Sequence, residues 1–88
     1  MKTTEYFEQN VLQKRPDIKE NWCKWCQQVI ANPIKVEVQA DGRIRYWGEI
    51  PEKGKVLRVV TLEDKQTIHN AFFDRSFLRK YKQELENL

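Results

Sequence analysis

The stretch DGRIRYWGEIPEKGKVLRVVTLEDKQTIHNAFFD, residues 41–74, decides the fold of this 88-residue chain. Apolar and polar residues alternate along three of its segments, 42–50, 55–62 and 66–73. A period of two is typical of β-strands that have one buried and one exposed face. The connections 51–54 and 63–65 are short and contain the turn-forming residues Pro, Gly and Asp. The stretch therefore predicts three consecutive antiparallel strands.

The alternation gives the predicted sheet two faces of different chemistry. The apolar face carries Ile44, Tyr46, Ile50, Leu57, Val59, Ile68 and Phe72. The opposite face carries Arg43, Arg45, Trp47, Arg58 and His69. Because this second face gathers arginines and the single histidine from separate strands, we expect the functional site to lie there.

A further strand is predicted over 34–39, where Ile34, Val36 and Val38 alternate with charged or polar residues. Asp41 and Gly42 follow it, and an Asp-Gly dipeptide supplies the positive φ that a tight hairpin turn needs. The predicted sheet then has four strands joined by short connections, which is the pattern of an antiparallel meander.

Helical spacing of apolar residues predicts two helices before the sheet. The first begins after Thr3 or Thr4 and ends near residue 15, because Pro16 disfavours helical geometry in the residue before it. The second opens with Asp17 and Glu20, which have the spacing of a capping pair. It ends at the Asn-Pro dipeptide just before the first strand.

After the sheet, residues 75–86 are predicted to form a helix with Phe77, Leu78, Tyr81 and Leu85 on its apolar side. We therefore predict an α+β fold in which two N-terminal helices pack on a four-stranded antiparallel sheet and a C-terminal helix follows. A chain of this length is expected to form one domain, so 1–88 is treated as a single unit.

The composition is that of a folded protein with a mildly basic surface. Hydrophobic residues make up 40% of the chain, and the net charge is +3 with an isoelectric point near 9.0. This balance weakly favours an acidic partner, nucleic acid first. The sequence has neither an apolar run of the roughly 20 residues that span a membrane nor the pattern of a signal peptide. We expect a cytoplasmic protein without a membrane partner.

Cys23 and Cys26 form a C-x-x-C pattern inside the second predicted helix. A zinc site needs about four ligands, and the chain adds only His69 to these two thiols. A thioredoxin-type motif follows a strand, and none is predicted before Cys23. We therefore expect no metal and no cofactor, and we interpret the pair as small apolar residues, with a redox or metal role as the alternative.

The order of predicted elements resembles that of the RelE/ParE toxin superfamily, and most of all its small BrnT-like and uncharacterised relatives. The resemblance is carried, in this order, by VIANP (29–33), DGRIRYWG (41–48), LRVV (57–60) and TIHNAF (67–72). It covers about 7 to 75 of the chain. The family usually begins with a strand before its helical hairpin, and residues 1–6 do not have the pattern of one.

The resemblance implies a curved sheet with helices on one face and RNA held against the other. Members of the RelE branch cleave mRNA, often on the ribosome, and are silenced by a cognate antitoxin protein. Members of the ParE branch act on DNA gyrase. Carried over by position, Arg45 and Arg58 match basic strand residues of the family, as do Arg43 and His69, and Arg75 matches a basic residue after the last strand.

These residue types suit a metal-independent endoribonuclease. Cleavage by the 2′-hydroxyl needs a proton acceptor, a proton donor and a cation for the charge on the phosphorane. His69 can move protons near neutral pH, and the catalytic set is His69, Arg58 and Arg45, with both arginines on the phosphate. The RNA-binding set adds Arg43, Tyr46, Trp47 and Arg75, with an aromatic ring stacking a base.

Two other functions remain open from the sequence alone. A non-catalytic module with this fold can use the face of Trp47, or the last helix, to bind protein or nucleic acid. Its arginines would then pair with Glu37, Glu49 or Glu63 across the strands. A gyrase-inhibiting toxin is the third alternative. The nuclease prediction requires that the arginines and His69 converge in one pocket that is open to solvent.

Overall fold

The computed structural model describes residues 1–86 as an α+β protein built on one four-stranded sheet. Its strands are β1 (Lys35–Val38), β2 (Ile44–Ile50), β3 (Lys55–Thr61) and β4 (Ile68–Phe73). They lie in sequence order, and every neighbouring pair is antiparallel. The predicted fold class and the meander are confirmed. The strands are shorter than predicted, so that Arg43 precedes β2 instead of lying within it.

Three short helical segments and one longer helix precede the sheet, and a second longer helix follows it. The helix α1 (Glu5–Phe7) continues into a π-helical turn over Glu8–Leu12, and α2 (Pro16–Lys19) follows. The helix α3 (Trp22–Ala31) leads into the sheet, and α4 (Phe77–Glu86) ends the described chain. A 3-10 turn, Pro51–Lys53, joins β2 to β3. None of the helices within residues 1–86 is long and apolar enough to cross a bilayer.

The N-terminal helices differ from the prediction in how they begin. Thr4 caps α1 as expected, because its hydroxyl accepts a hydrogen bond from the Phe7 amide at 3.1 Å. The predicted capping pair of Asp17 and Glu20 is wrong. The helix α2 already begins at Pro16, the position before Asp17, where the missing N–H of proline costs nothing. The chain then turns after Glu20. The single helix predicted for this region is therefore divided into α2 and α3.

The apolar face of the sheet packs against α3. Trp25, Cys26 and Val29 of α3 join Ile44, Tyr46, Ile50, Leu57 and Val59 in one buried cluster. Gly48 lies where α3 crosses β2, and a Cβ there would come within 3.1–3.2 Å of Val29. Glycine therefore sets the close approach of helix and strand. Cys26 is buried, which raises the pKa of its thiol to about 12, whereas Cys23 is exposed.

The pairing of β3 with β4 contains a β-bulge that the alternation did not predict. Val60 pairs with Asn70, but the next residue, Thr61, pairs with Ile68, so His69 is skipped. Ile68 is therefore buried on the α3 face, whereas Phe72 pairs opposite Arg58 on the other face. The prediction that Ile68 and Phe72 share a face is wrong, because a bulge shifts the alternation by one residue.

The N-terminal segment extends the sheet beyond β4. Thr3 forms an isolated parallel bridge with Ile68. The Thr4 amide donates to the Ile68 carbonyl at 3.0 Å, and the Ile68 amide donates to the Lys2 carbonyl at 2.9 Å. Residues that lack the pattern of a strand therefore form a single bridge at this edge of the sheet.

The helix α4 lies on the face of the sheet opposite α3. Trp47, Val56 and Phe77 form a second buried cluster there, and Tyr81 packs against it. Leu78 and Leu85, predicted on the apolar side of this helix, are 51% and 53% exposed. The side of α4 that packs on the sheet therefore carries Phe77 and Tyr81.

Candidate functional site

The candidate site is a pocket of about 230 Å³ between α4 and the sheet face that carries the arginines. Its charged lining residues are Lys35, Arg45, Arg58, Lys80, Glu37, Asp74 and Glu84, and its aromatic ones are Trp47, Phe77 and Tyr81. Four cations against three carboxylates leave a small positive excess. The pocket therefore suits a ligand that carries negative charge and some apolar or aromatic surface. We call it the Arg58 pocket.

Arg58 and Lys80 are the two cations of this pocket without a carboxylate within 4.0 Å among residues 1–86, and of the two only Arg58 has a buried nitrogen without a partner there. Its guanidinium carbon lies 4.9 Å from the centre of the Phe72 ring and 5.8 Å from that of Trp47. Its Nε is buried, and no hydrogen-bond acceptor reaches it from the part of the chain that the structure describes. Among residues 1–86, no carboxylate lies within 4.0 Å of its guanidinium nitrogens.

The surroundings of Arg58 disfavour its positive charge. Burial lowers the pKa of Arg58 below its ordinary value, and the nearby charge of Arg45 lowers it further. The smaller effects of the Asp74 and Glu37 charges act in the opposite direction without reversing this shift of the pKa. An arginine stays protonated under these conditions, so an anion that enters the pocket would relieve this penalty.

Arg45 and Arg43, two of the other predicted arginines, already have acidic partners. Arg45 forms an ion pair with Glu37 at 3.2 Å, and its guanidinium donates to the side-chain amide oxygen of Gln39. Arg43 lies 3.6 Å from Asp41 at the hairpin turn and outside the pocket. Glu37, which the sequence identified as a cross-strand partner, thus neutralises part of the predicted anion site.

Neither aromatic residue of the predicted RNA-binding set has an open ring face. Trp47 was predicted to be exposed, but it is 7% exposed beneath Phe77, with ring centres 5.3 Å apart. Its indole Nε1 donates to Asp74 at 3.1 Å. Tyr46 lies on the α3 face and is 6% exposed. As folded here, a base can stack on neither ring, because α4 covers the first and the core encloses the second.

Asp74 ties the start of α4 to this face. Burial acts to raise the pKa of its carboxyl, but hydrogen bonds from Trp47 and Ser76 outweigh that effect and lower the pKa below its ordinary value. Ser76 donates to Asp74 through its amide and its hydroxyl, both at 3.1 Å. The carboxylate is therefore committed to fixing α4 and Trp47, and it compensates Arg58 only at a distance.

His69 lies outside the Arg58 pocket. Its Nδ1 is 3.0 Å from the Thr4 hydroxyl, and its ring stacks on Tyr6 with centres 4.8 Å apart. Burial and then the charge of Arg43 lower the pKa of its imidazole, while Asp41 opposes them. His69 is thus a neutral side chain at neutral pH, held by the N-terminal segment. His69 lies near Arg43 and outside the Arg58 pocket, because it is the second residue of β4 whereas Arg58 pairs with Phe72 near the other end of that strand.

Replacing His69 with glutamine is expected to make the free energy of unfolding less dependent on pH below 6.5, the ordinary histidine pKa. The folded state has the lower pKa, so the unfolded chain binds a proton first as the pH falls through this window. His69 therefore contributes a loss of stability that grows below 6.5 and levels off once the folded state is protonated. Urea unfolding from neutral to mildly acidic pH, compared between wild type and variant, checks this. Parallel curves would show that the His69 pKa is unshifted.

Arg75, the last predicted site residue, is exposed in the turn that precedes α4. It lines a separate cavity of about 230 Å³ together with Lys55 and Leu78. It does not reach the Arg58 pocket. The predicted site residues thus fall into four groups: Arg45, Arg58 and Trp47 around one pocket, Arg43 and His69 near the hairpin, Tyr46 in the core under α3, and Arg75 alone.

Several lining residues of the Arg58 pocket were not predicted. Lys35 pairs opposite Trp47 in the β1–β2 ladder, so the alternation of β1 could have placed it on this face. Lys80 and Glu84 come from α4. The sequence contains no signal that indicates which face of the sheet this helix covers. Among residues 1–86, no group of three or more His, Cys, Asp or Glu side chains is placed to hold a metal ion.

Comparisons with known proteins return nothing for this chain: no family model, no curated protein and no solved structure matches it. Its function is therefore inferred from the geometry of the Arg58 pocket.

Proposed function

We propose that this protein binds RNA and holds a backbone phosphate in the Arg58 pocket. The observation that carries the proposal is the state of Arg58, whose Nε is buried without an acceptor and whose guanidinium has no carboxylate within 4.0 Å among residues 1–86. A guanidinium matches phosphate oxygens through parallel N–H donors. An anionic ligand would supply the counter-charge that the chain itself does not provide.

The surroundings of Arg58 support a polyanion over an isolated small anion. Lys35, Arg45 and Lys80 line the same pocket and can contact neighbouring phosphates, although Glu37 and Glu84 partly neutralise two of them. The net charge of +3 favours association with nucleic acid at low salt. We place this activity in the cytoplasm, where RNA is abundant.

Binding to single-stranded RNA, followed by fluorescence anisotropy, tests this proposal. Arg58→Gln is expected to weaken binding by about 10- to 100-fold, since a hydrogen bond to a charged group contributes about 1.5–3 kcal/mol. The slope of log Kd against log salt concentration should also decrease in magnitude by about one, as expected when one phosphate contact is lost. The matched control is Arg79→Gln, which removes the same charge from an exposed position of α4 outside the pocket. Equal losses in both variants would mean that the pocket is not the phosphate site.

Cleavage of the bound RNA, as the toxin of a toxin–antitoxin pair, is a second proposal, and the state of His69 favours it. A neutral imidazole can accept the proton of a 2′-hydroxyl. In the tautomer whose Nδ1–H donates to the Thr4 hydroxyl, Nε2 is unprotonated and is the nitrogen left to accept that proton. Because His69 lies outside the Arg58 pocket, cleavage at one phosphate would require the RNA to span both places, with Arg43 as the cation beside His69. A cognate antitoxin would restrain such an activity.

Inducible expression in a bacterium, with growth and RNA integrity both followed, separates the candidate functions. RNA breakage that is lost in both Arg58→Gln and His69→Gln supports the ribonuclease. Growth arrest with intact RNA indicates a target such as DNA gyrase. Free expression to high yield, with RNA binding in vitro and no arrest, supports a non-catalytic RNA-binding module and overturns the ribonuclease.

A further inference from the structure

The strand β1 forms an open edge of the sheet. It lies at the end of the strand order, and within residues 1–86 it pairs with β2 alone. Its two valines lie on the same face of the sheet as α3, which covers the middle strands. The valines themselves are uncovered: Val36 is 48% exposed and Val38 is 70% exposed. Two exposed β-branched residues on an edge strand are typical of a site where another strand adds to the sheet.

The free backbone groups of this edge belong to the same two valines. The Gln39 amide donates to the Arg43 carbonyl at 2.8 Å, so residue 39 points its backbone polar groups toward β2. Hydrogen bonding alternates along an antiparallel ladder, so Glu37 and Lys35 also point inward while Val36 and Val38 point outward. Within residues 1–86, no other backbone or side-chain group bonds to these outward positions.

We propose that β1 pairs in antiparallel fashion with β1 of a second copy of this chain, centred on Val36. In this register the Val36 residues of the two copies face each other and exchange both backbone hydrogen bonds. Lys35 of each copy then lies directly opposite Glu37 of the other copy. Opposite charges in directly facing positions stabilise the pairing of two strands. The charge order of the strand is thus complementary to itself.

The neighbouring registers lack this complementarity. Sliding one strand by two residues places either Lys35 opposite Lys35 or Glu37 opposite Glu37 of the second copy, and like charges directly opposite each other are destabilising. A slide by one residue would exchange the two faces of the sheet, which a two-fold axis perpendicular to the sheet does not allow. The charges of β1 therefore select the register centred on Val36.

This pairing would bring the two candidate sites onto one surface. Because the two-fold axis is perpendicular to the sheet, the same face of both copies lies on the same side. The strands β1 to β4 of both copies then form one continuous sheet, with both copies of α4 on one side of it. Lys35 and Glu37 line the Arg58 pocket, so the two pockets become neighbours across the axis. The dimer itself rests only on the edge of β1 and does not depend on the proposed RNA binding.

Sedimentation of the full chain over a wide range of concentrations tests the pairing. Wild type should show a reversible monomer–dimer equilibrium. Lys35→Glu should weaken the dimer about tenfold, because it creates two carboxylate pairs across the axis. The double variant Lys35→Glu/Glu37→Lys should restore it, since each charge again faces its opposite. Lys19→Glu, an exposed charge reversal on α2, is the matched control and should leave the dimer unchanged.

The double variant separates an intermolecular effect from a defect within one chain. Exchanging the charges breaks the bonds from Lys35 to Glu84 at 3.0 Å and from Glu37 to Arg45 at 3.2 Å, so it cannot repair the monomer. Restoration of the dimer would therefore report the contact between copies. Failure to restore it would overturn the proposed register.

Hydrogen exchange at single amides gives an independent measurement. The outward Val36 and Val38 amides should exchange freely in dilute solution and become protected as the concentration rises, whereas the Gln39 amide should be protected throughout. Free exchange of Val36 and Val38 at every concentration, or a chain that stays monomeric up to millimolar concentration, would overturn the proposal. The edge would then be open to a strand of another protein.

Discussion

Replacing Trp47 with alanine is expected to lower the free energy of unfolding by about 3 to 5 kcal/mol, the usual cost of truncating a buried tryptophan. The side chain is 7% exposed and forms the base of a stack in which Phe77 lies on Trp47 and Tyr81 on Phe77, with ring centres 5.3 Å apart at both steps. Its indole also donates to Asp74. The variant therefore removes both the apolar platform and a hydrogen bond of α4.

Denaturant unfolding followed by circular dichroism measures this loss, and hydrogen exchange over residues 77–86 should show α4 exchanging before the sheet. Leu85→Ala is the matched control on the same helix. Leu85 is 53% exposed, so its truncation should change the unfolding free energy by less than about 0.5 kcal/mol. A small loss in Trp47→Ala, comparable to that of Leu85→Ala, would mean that the stack does not hold α4 on the sheet.

The strands could be predicted from the sequence because burial on one face leaves a period of two that no other element imitates. Ile44 and Tyr46 alternate with Arg45 and Trp47, and the structure places the first pair against α3 and the second pair on the opposite face. The hairpin after β1 was equally readable, since Gly42 has the positive φ, 88°, that the Asp-Gly dipeptide predicts. Local patterns therefore determined the sheet.

What the sequence did not predict depends on contacts between elements that are distant in the chain. The alternation put Trp47 on the side away from α3, but nothing in it showed that Phe77, thirty residues later, would cover the ring. The bulge beside Val60 moved His69 out of register, and the N-terminal residue Thr4 then held it away from Arg58. A face defined by alternation is therefore not yet a site, because helices and bulges decide which of its residues meet.

The charges of the candidate site show the same dependence on pairing. Arg45 and Arg58 looked equivalent in the sequence, as basic residues on the same face of adjacent strands. In the structure, Glu37 faces Arg45 across β1 and β2, whereas Arg58 has Phe72 opposite it on β4 and Trp47 on β2. One arginine is thus neutralised by a carboxylate, and the other lies between aromatic rings. This difference in neighbours makes Arg58 the residue with free capacity for an anion.

Replacing Trp25 with alanine is the second change with a large expected effect, again about 3 to 5 kcal/mol, because its side chain is 1% exposed at the centre of the α3 cluster. Its substitution by phenylalanine is the sharper experiment. The Trp25 Nε1 is buried without an acceptor, so the folded state already bears the cost of its desolvation. Trp25→Phe removes that unpaired donor, which offsets part of the lost apolar contact.

Trp47→Phe is the matched comparison, because it removes the same atoms from a tryptophan whose N–H is paired. The Trp47 N–H donates to the Asp74 carboxylate at 3.1 Å, and a hydrogen bond to a charged group contributes about 1.5–3 kcal/mol. Trp47→Phe should therefore cost about 1 to 2 kcal/mol more than Trp25→Phe in urea unfolding. Equal costs would mean that the Trp25 N–H finds an acceptor, such as a buried water, in solution. The difference between the two variants thus measures how much the hydrogen bond to Asp74, and not the ring alone, contributes to fixing α4 over the Arg58 pocket.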